Sequence, residues 1–191
     1  MKKLYTYLLF SLPLLYVVIN VFLNDDIMNG PSYLIITTGY IALTLLVLIL
    51  FMPIVSTLSD YIDRRSLGII TFIYALIHYL LYILDNNIEW MLIRNDLFFR
   101  NYIQLGYVAL ILFLPLVITS NNYAKELLGN KWIVIHRLIY IIILSSMLHY
   151  YMIIKADYFV FIIYSVILIT IFIIKYRKYS IKWTEENFYS F

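Results

Sequence analysis

No cysteine occurs in the 191 residues. Disulfides, thiolate metal sites, iron–sulfur clusters and a cysteine nucleophile are therefore excluded together. Charge is scarce as well. Asp, Glu, Lys and Arg make up 13% of the chain, against roughly a quarter in an ordinary soluble domain. Glycine and proline number only 5 and 4, and no repeat or low-complexity linker is visible. There is no GxGxxG and no P-loop pattern, so no nucleotide-binding loop is indicated. The net charge of +3 is small, and no nucleic-acid partner is expected.

What fills the space is apolar. Hydrophobic residues account for 64% of the chain, and mean hydropathy is +0.89. A soluble fold of this size cannot hide so much apolar surface, and a disordered chain would not carry it. Six segments approach the 20 or so residues that cross a bilayer: Leu4–Leu23, Tyr33–Leu58, Ser66–Leu84, Tyr102–Thr119, Trp132–Ile154 and Tyr158–Ile174. Backbone polar groups in hydrocarbon must be bonded internally, and the alternation of a membrane barrel is absent, so the spans are helices. The expected fold is all-α: one polytopic bundle of six transmembrane helices occupying residues 1–191.

Met1-Lys2-Lys3 before an apolar run imitates a signal peptide. The run is too long for one, and no small-residue cleavage site precedes Asn24-Asp25-Asp26, so it reads as a retained first span. Pro13, Pro53 and Pro115 lie within spans and are candidates to kink them. With the N-terminus inside, ten cations fall on the inner side: Lys2, Lys3, Arg64, Arg65, Lys125, Lys131, Lys175, Arg177, Lys178 and Lys182. Three, Arg94, Arg100 and Lys155, fall outside. The bias predicts cytoplasmic termini. Trp90, Tyr102, Trp132 and Tyr158 near span ends suit interfacial anchors, and Lys175-Tyr176-Arg177-Lys178 suits anionic membrane lipid.

The chain has three histidines, His78, His136 and His149, all inside predicted spans. Ionisable residues there are expensive and face the bundle interior. His78 lies about six residues from the outer end of the third span and His149 about five from that of the fifth, so they share a level at a rise of about 1.5 Å per residue. His136 lies roughly 20 Å below His149, about 140° around an ideal helix. Two histidines at one depth on different helices can ligate one iron, and haem is the natural candidate. The bland alternative is a pair of hydrogen-bonding interior residues. Ser145, Ser146 and Tyr74, one turn before the histidines, are candidate acceptors for the second ring nitrogen. At the level of His136, Arg64 and Arg65 either pair with haem propionates or acidic headgroups or serve as topology determinants, and Arg137 either clamps a propionate or a flavin phosphate or reaches to the inner surface.

Several motifs carry a resemblance. Arg64-Arg65-Ser66-Leu67-Gly68, followed by His78, Tyr82 and Asp85, resembles the third span of the MsrQ (YedZ) haem-binding membrane subunits, a branch of the ferric-reductase-like transmembrane family. Arg100-Asn101-Tyr102-Ile103 with Gly106 is similar to that family's Arg-Pro-Tyr-Ile start of the fourth span, with Asn101 in place of proline. Thr119-Ser120, Leu128-Gly129, Trp132, His136-Arg137-Leu138 and Tyr140 match its most specific stretch, with Ile135 for leucine, and Leu148-His149-Tyr150 with Lys155-Ala156-Asp157 closes it.

The resemblance implies a b-type haem protein of the bacterial inner membrane, with one or two haems and FMN as a further cofactor. It implies His78 and His149 as ligands of the outer haem and His136 as a ligand or neighbour of an inner one. The implied donors are the quinol pool or a cytosolic flavin reductase. The implied acceptor is MsrP, a periplasmic molybdopterin methionine sulfoxide reductase that repairs oxidised proteins. With no soluble reductase domain visible, electrons are expected to come from a membrane pool or a separate protein. The alternatives are a self-contained ferric or quinone reductase on the same haem core, and a small transporter or structural membrane protein; no inverted repeat and no interrupted-helix pair supports transport.

Overall fold

The computed structural model describes residues 1–24 and 29–188, with side chains described to residue 178. Asp25, Asp26 and the Lys182 side chain lie outside the described residues. Among the described residues every regular element is a helix. In chain order these are α1 (Lys2–Leu23), α2 (Gly30–Phe51), α3 (Leu58–Tyr61), α4 (Arg64–Asp85) and α5 (Trp90–Phe99). They continue with α6 (Asn101–Ile118), α7 (Asn122–Leu128), α8 (Asn130–His136), α9 (Ile139–Ile153) and α10 (Phe159–Phe188). Six stretches are long and apolar enough to cross a membrane: α1, α2, α4, α6, α8 with α9, and the Phe159–Lys178 part of α10. The six-span all-helical reading holds.

Local chemistry sets the ends. The Asn29 side chain accepts from the Ser32 N–H at 3.2 Å, with Pro31 in the first turn of α2. Asp63 caps α4, accepting from the Ser66 N–H at 2.9 Å and its hydroxyl at 2.6 Å. Such caps satisfy backbone donors that have no partner within the helix.

Three boundaries differ from expectation. The second span was expected to reach Leu58, but α2 ends at Phe51, and turns lead to the short α3. Pro53 does not kink the span but ends it: Met52 is still helical and bonds Leu48 O, whereas Pro53 has no N–H to continue the ladder. The stretch Asp85–Asn101, expected as a connection, contains α5 with Ile93 and Asp96 buried. The fifth span is not one continuous helix. Arg137 N–H bonds Val134 O at 3.1 Å, Leu138 N–H bonds Ile135 O at 3.0 Å, and Tyr140 N–H bonds Arg137 O at 3.0 Å. These three-residue turns tighten the chain between α8 and α9.

α2 is the central helix. Leu43, Leu46, Ile49 and Leu50 are buried there, against Leu67 and Ile70 of α4, Phe113 of α6, Ile142 and Ile143 of α9 and Ile171 of α10. α2 packs mainly on α4, and α6 on α9. α1 and α10 keep broad exposed apolar faces, including Leu8, Leu12 and Ile19 on α1 and Ile162, Val166 and Ile169 on α10. Hydrocarbon is the solvent those faces suit.

Candidate haem site

The two tight pairs, α2 with α4 and α6 with α9, each deliver one histidine to a common space. His78 comes from α4 and His149 from α9, and their ring centres lie 6.2 Å apart with planes at 88°. Matched depth on separate helices thus becomes direct opposition. The rings border a cavity of about 700 Å³ lined by Gly39, Gly106, Tyr79, Tyr107 and Phe113 among others.

Each ring is held the same way. His78 Nδ1 lies 2.8 Å from the Ile35 carbonyl oxygen. His149 Nδ1 lies 2.6 Å from that of Tyr102. A carbonyl only accepts, so Nδ1 carries the proton in both rings and Nε2 keeps its lone pair. The expected acceptors were on the histidines' own helices, and that expectation is corrected. The Tyr74 hydroxyl is used elsewhere, donating to Phe10 O at 2.8 Å and accepting from the Leu14 N–H at 3.0 Å. The rings reach across to the neighbouring helix, where glycine lets them lie on the backbone. A β-carbon at Gly39 would stand 3.1 Å from His78 Nδ1, and one at Gly106 3.2 Å from His149 Nδ1.

The spacing of the two rings would let His78 and His149 hold one iron between them. A metal–imidazole bond of about 2.0–2.1 Å, with the nitrogen roughly 1.2 Å from the ring centre, separates the centres by about 6.4 Å in a linear arrangement. The observed 6.2 Å lies close to that. Among the described residues no group of three or more His, Asp or Glu gathers to complete a protein-only metal site. Equatorial ligands would have to come with the metal, as a porphyrin supplies them.

A polar cluster lines part of this cavity. Asp96, 9% exposed, accepts from the Tyr82 hydroxyl at 2.9 Å and pairs with Arg100 Nε at 3.0 Å. Arg100 also donates to the Tyr102 hydroxyl at 3.1 Å. That hydrogen bond and the electrostatic interaction with Tyr102, then the Asp96 charge, push the Arg100 pKa further up.

The remaining site residues gather at a second cavity of about 770 Å³, bordered by Arg64, Arg65, His136 and Arg137. His136 stacks on Trp132 with ring centres 3.9 Å apart and planes at 27°. Its Nδ1 lies 3.1 Å from the Trp132 carbonyl oxygen. The indole N–H donates to Thr119 O at 2.9 Å, and Arg65 donates to Asn122 Oδ1 at 2.8 Å. His136 meets neither of the other two histidines.

Sequence reasoning missed Gly39 as a site residue and named Gly106 only within a motif. The available signal was a glycine inside an apolar span, where it weakens a helix unless it meets something closely. The Asp96–Tyr82–Arg100 cluster was also missed, because Asp96 was assigned to a connection.

Comparison with known proteins adds three findings. Residues 38–147 match the profile of a family described as ferric reductase like transmembrane component. The chain is 39% identical over 94 residues to the protein-methionine-sulfoxide reductase heme-binding subunit MsrQ of Brucella ovis, covering 49% of this chain and 43% of that protein. It is 35% identical over 124 residues to the subunit of the same name from Brucella anthropi, covering 63% and 56% respectively. The chain thus spans about half the length of the curated relatives it matches. No solved structure matches.

Proposed function

The chain belongs to the ferric reductase like transmembrane family, and from that premise we propose that it is a b-type haem electron-transfer subunit of the MsrQ kind. In this reading it carries electrons across the bacterial inner membrane, from quinol or a cytosolic flavin reductase to a periplasmic molybdopterin methionine sulfoxide reductase, MsrP. The observation that carries the reading is the opposition of His78 and His149 at 6.2 Å, both with Nδ1 tied to backbone. The names of the Brucella relatives support haem and the methionine sulfoxide reductase partner. The bias of ten cations against three supports cytoplasmic termini, and hence a site toward the outer side.

Haem, when bound, supplies reversible one-electron chemistry at its iron. His78 and His149 would hold that iron through Nε2, the nitrogen that their backbone bonds leave free. The Ile35 and Tyr102 carbonyls fix the tautomer and the ring orientation. Phe113, Leu43 and Leu46 line the cavity with apolar surface. At the second cavity Arg64, Arg65 and Arg137 offer three guanidiniums for an anionic group. The propionates of an inner haem beside His136 suit them, and so does the phosphate of FMN.

The test is an iron count, a pyridine haemochrome assay and a redox titration on the purified full chain. His78→Ala and His149→Ala should each abolish one low-spin component. His136→Ala should leave that component intact and alter a second. Wild-type protein that shows no Soret band after hemin is supplied would refute haem binding. Reoxidation of the reduced protein by MsrP with methionine sulfoxide supports the relay. Rapid reoxidation by ferric chelates alone would point instead to a self-contained ferric reductase.

A further inference from the structure

We propose that Gly39 and Gly106 are positioning residues that set the reduction potential of the iron held by His78 and His149. The inference rests on the haem reading above and deepens it. In an α-helix the carbonyl of one residue points toward the N–H four residues on. Gly39 stands four residues after Ile35, and Gly106 four after Tyr102. Each glycine therefore flanks the carbonyl that accepts a histidine proton, and its missing side chain opens the approach to the second lone pair of that oxygen.

The arrangement occurs twice, on different helix pairs. α2 presents carbonyl and glycine to the α4 histidine, and α6 presents them to the α9 histidine. Added β-carbons would stand 3.1 Å from the ring of His78 and 3.2 Å from that of His149, closer than ordinary van der Waals contact. The atoms that each added β-carbon would meet belong to the imidazole rings, so those rings must give way by a few tenths of an ångström. Glycine inside a helix is unfavourable relative to alanine, so its use at both positions calls for a local reason. Gly68 on α4 has nothing within 4 Å of its would-be β-carbon and offers the contrast.

The chemical consequence follows from the hydrogen bond. An imidazole that donates Nδ1–H to a strong acceptor is a more basic ligand through Nε2. A more basic ligand favours ferric over ferrous iron and lowers the potential. Alanine at either glycine pushes the ring off its carbonyl, weakens that bond and raises the potential.

The experiment is a potentiometric titration of the haem-loaded full chain, comparing wild type with Gly39→Ala, Gly106→Ala, the double variant and Gly68→Ala. The two single variants should raise the midpoint of the His78–His149 component while keeping its low-spin spectrum. The double variant should shift it by about the sum of the two, and Gly68→Ala should leave it unmoved. A midpoint unchanged in both single variants, or moved equally by Gly68→Ala, overturns the proposal. Should the alanine variants lose haem, deuterium ENDOR on the oxidised wild type decides. After exchange into deuterium oxide, Nδ1 deuterons on both ligands with quadrupole couplings lowered by a strong hydrogen bond sustain the proposal, and couplings of a free imidazole refute it. Wild type without haem sinks the function proposed above, whereas bound haem with an unmoved potential sinks this inference alone.

Discussion

Tyr74→Phe probes how a proline is tolerated within an apolar helix. Pro13 sits in α1 and lacks the N–H that would bond the carbonyl four residues back. One residue on, the Leu14 N–H and the Phe10 carbonyl are the two ends of a single helical rung. The Tyr74 hydroxyl from α4 joins both, accepting from Leu14 at 3.0 Å and donating to Phe10 at 2.8 Å. The side chain is 1% exposed, so no water replaces it. Phenylalanine keeps the ring and removes only the bridge. Two hydrogen bonds at about 0.5–1.5 kcal/mol net each give a loss of about 1–3 kcal/mol. Measurements within membranes average about 0.6 kcal/mol per bond, which favours the lower half of that range.

The assay is reversible unfolding in mixed micelles with dodecyl sulfate as denaturant. Adding Pro13→Ala to Tyr74→Phe should recover at least half of the loss, because alanine allows the Phe10–Leu14 rung to close on itself. The reasoning is refuted if Tyr74→Phe lies within about 0.3 kcal/mol of wild type, the scatter expected of independent sites. It is equally refuted if Pro13→Ala fails to rescue.

Two further outcomes test the cavity rim and the α4 cap. Asp96→Ala removes a buried acceptor from Tyr82, a bond to a charged group contributing about 1.5–3 kcal/mol, whereas the ion pair to the half-exposed Arg100 adds at most about 1 kcal/mol. Asp96→Asn keeps the Tyr82 bond and should therefore be the milder change in the same unfolding assay; equal losses would contradict the assignment. Asp63→Ala should destabilise the protein by about 1 kcal/mol at neutral pH through the lost cap. Burial pushes the Asp63 pKa up, but the Ser66 hydroxyl and N–H, with Lys3 and Arg65, outweigh it and hold it below the usual carboxylate range. Its charged-state stabilisation is therefore present above the ordinary carboxylate pKa and fades as pH falls through the lowered value. Melting curves of wild type and Asp63→Ala across that range should converge on the acid side, and a constant gap would show that the charge contributes nothing.

The six spans were legible because hydrocarbon imposes one rule on the whole chain, and long apolar runs obey it as helices. Where a second rule intervenes, the reading slipped. Pro53 lies inside an apolar run that continues to Leu58, and composition alone does not say that the helix yields to the proline. The ten residues of α5 are too few to span and too mixed in polarity to stand out, yet Ile93 and Asp96 turn inward. The pairing of His78 with His149 was readable because depth along a helix is arithmetic at a fixed rise. The grouping of Arg64, Arg65, His136 and Arg137 around one cavity follows from the same arithmetic at the opposite end of the spans.

The acceptors of the histidine protons were not readable, and the reason bears on how such a site can be built. A soluble protein can orient a ligating imidazole with a carboxylate. Inside a bilayer a carboxylate brings an expensive charge, and a serine or tyrosine hydroxyl is readily drawn to a backbone partner, as Tyr74 is to α1. A backbone carbonyl is neutral, strong and already present in every neighbouring helix, with a second lone pair to spare. What it lacks is accessibility, since a side chain normally crowds the approach. Removing a single β-carbon solves that, so the residue marking the acceptor is not the acceptor itself but the glycine four positions later. Every residue has a carbonyl, and that is why the sequence conceals the choice. Only five residues in this chain are glycine, and the two that touch histidine rings are Gly39 and Gly106.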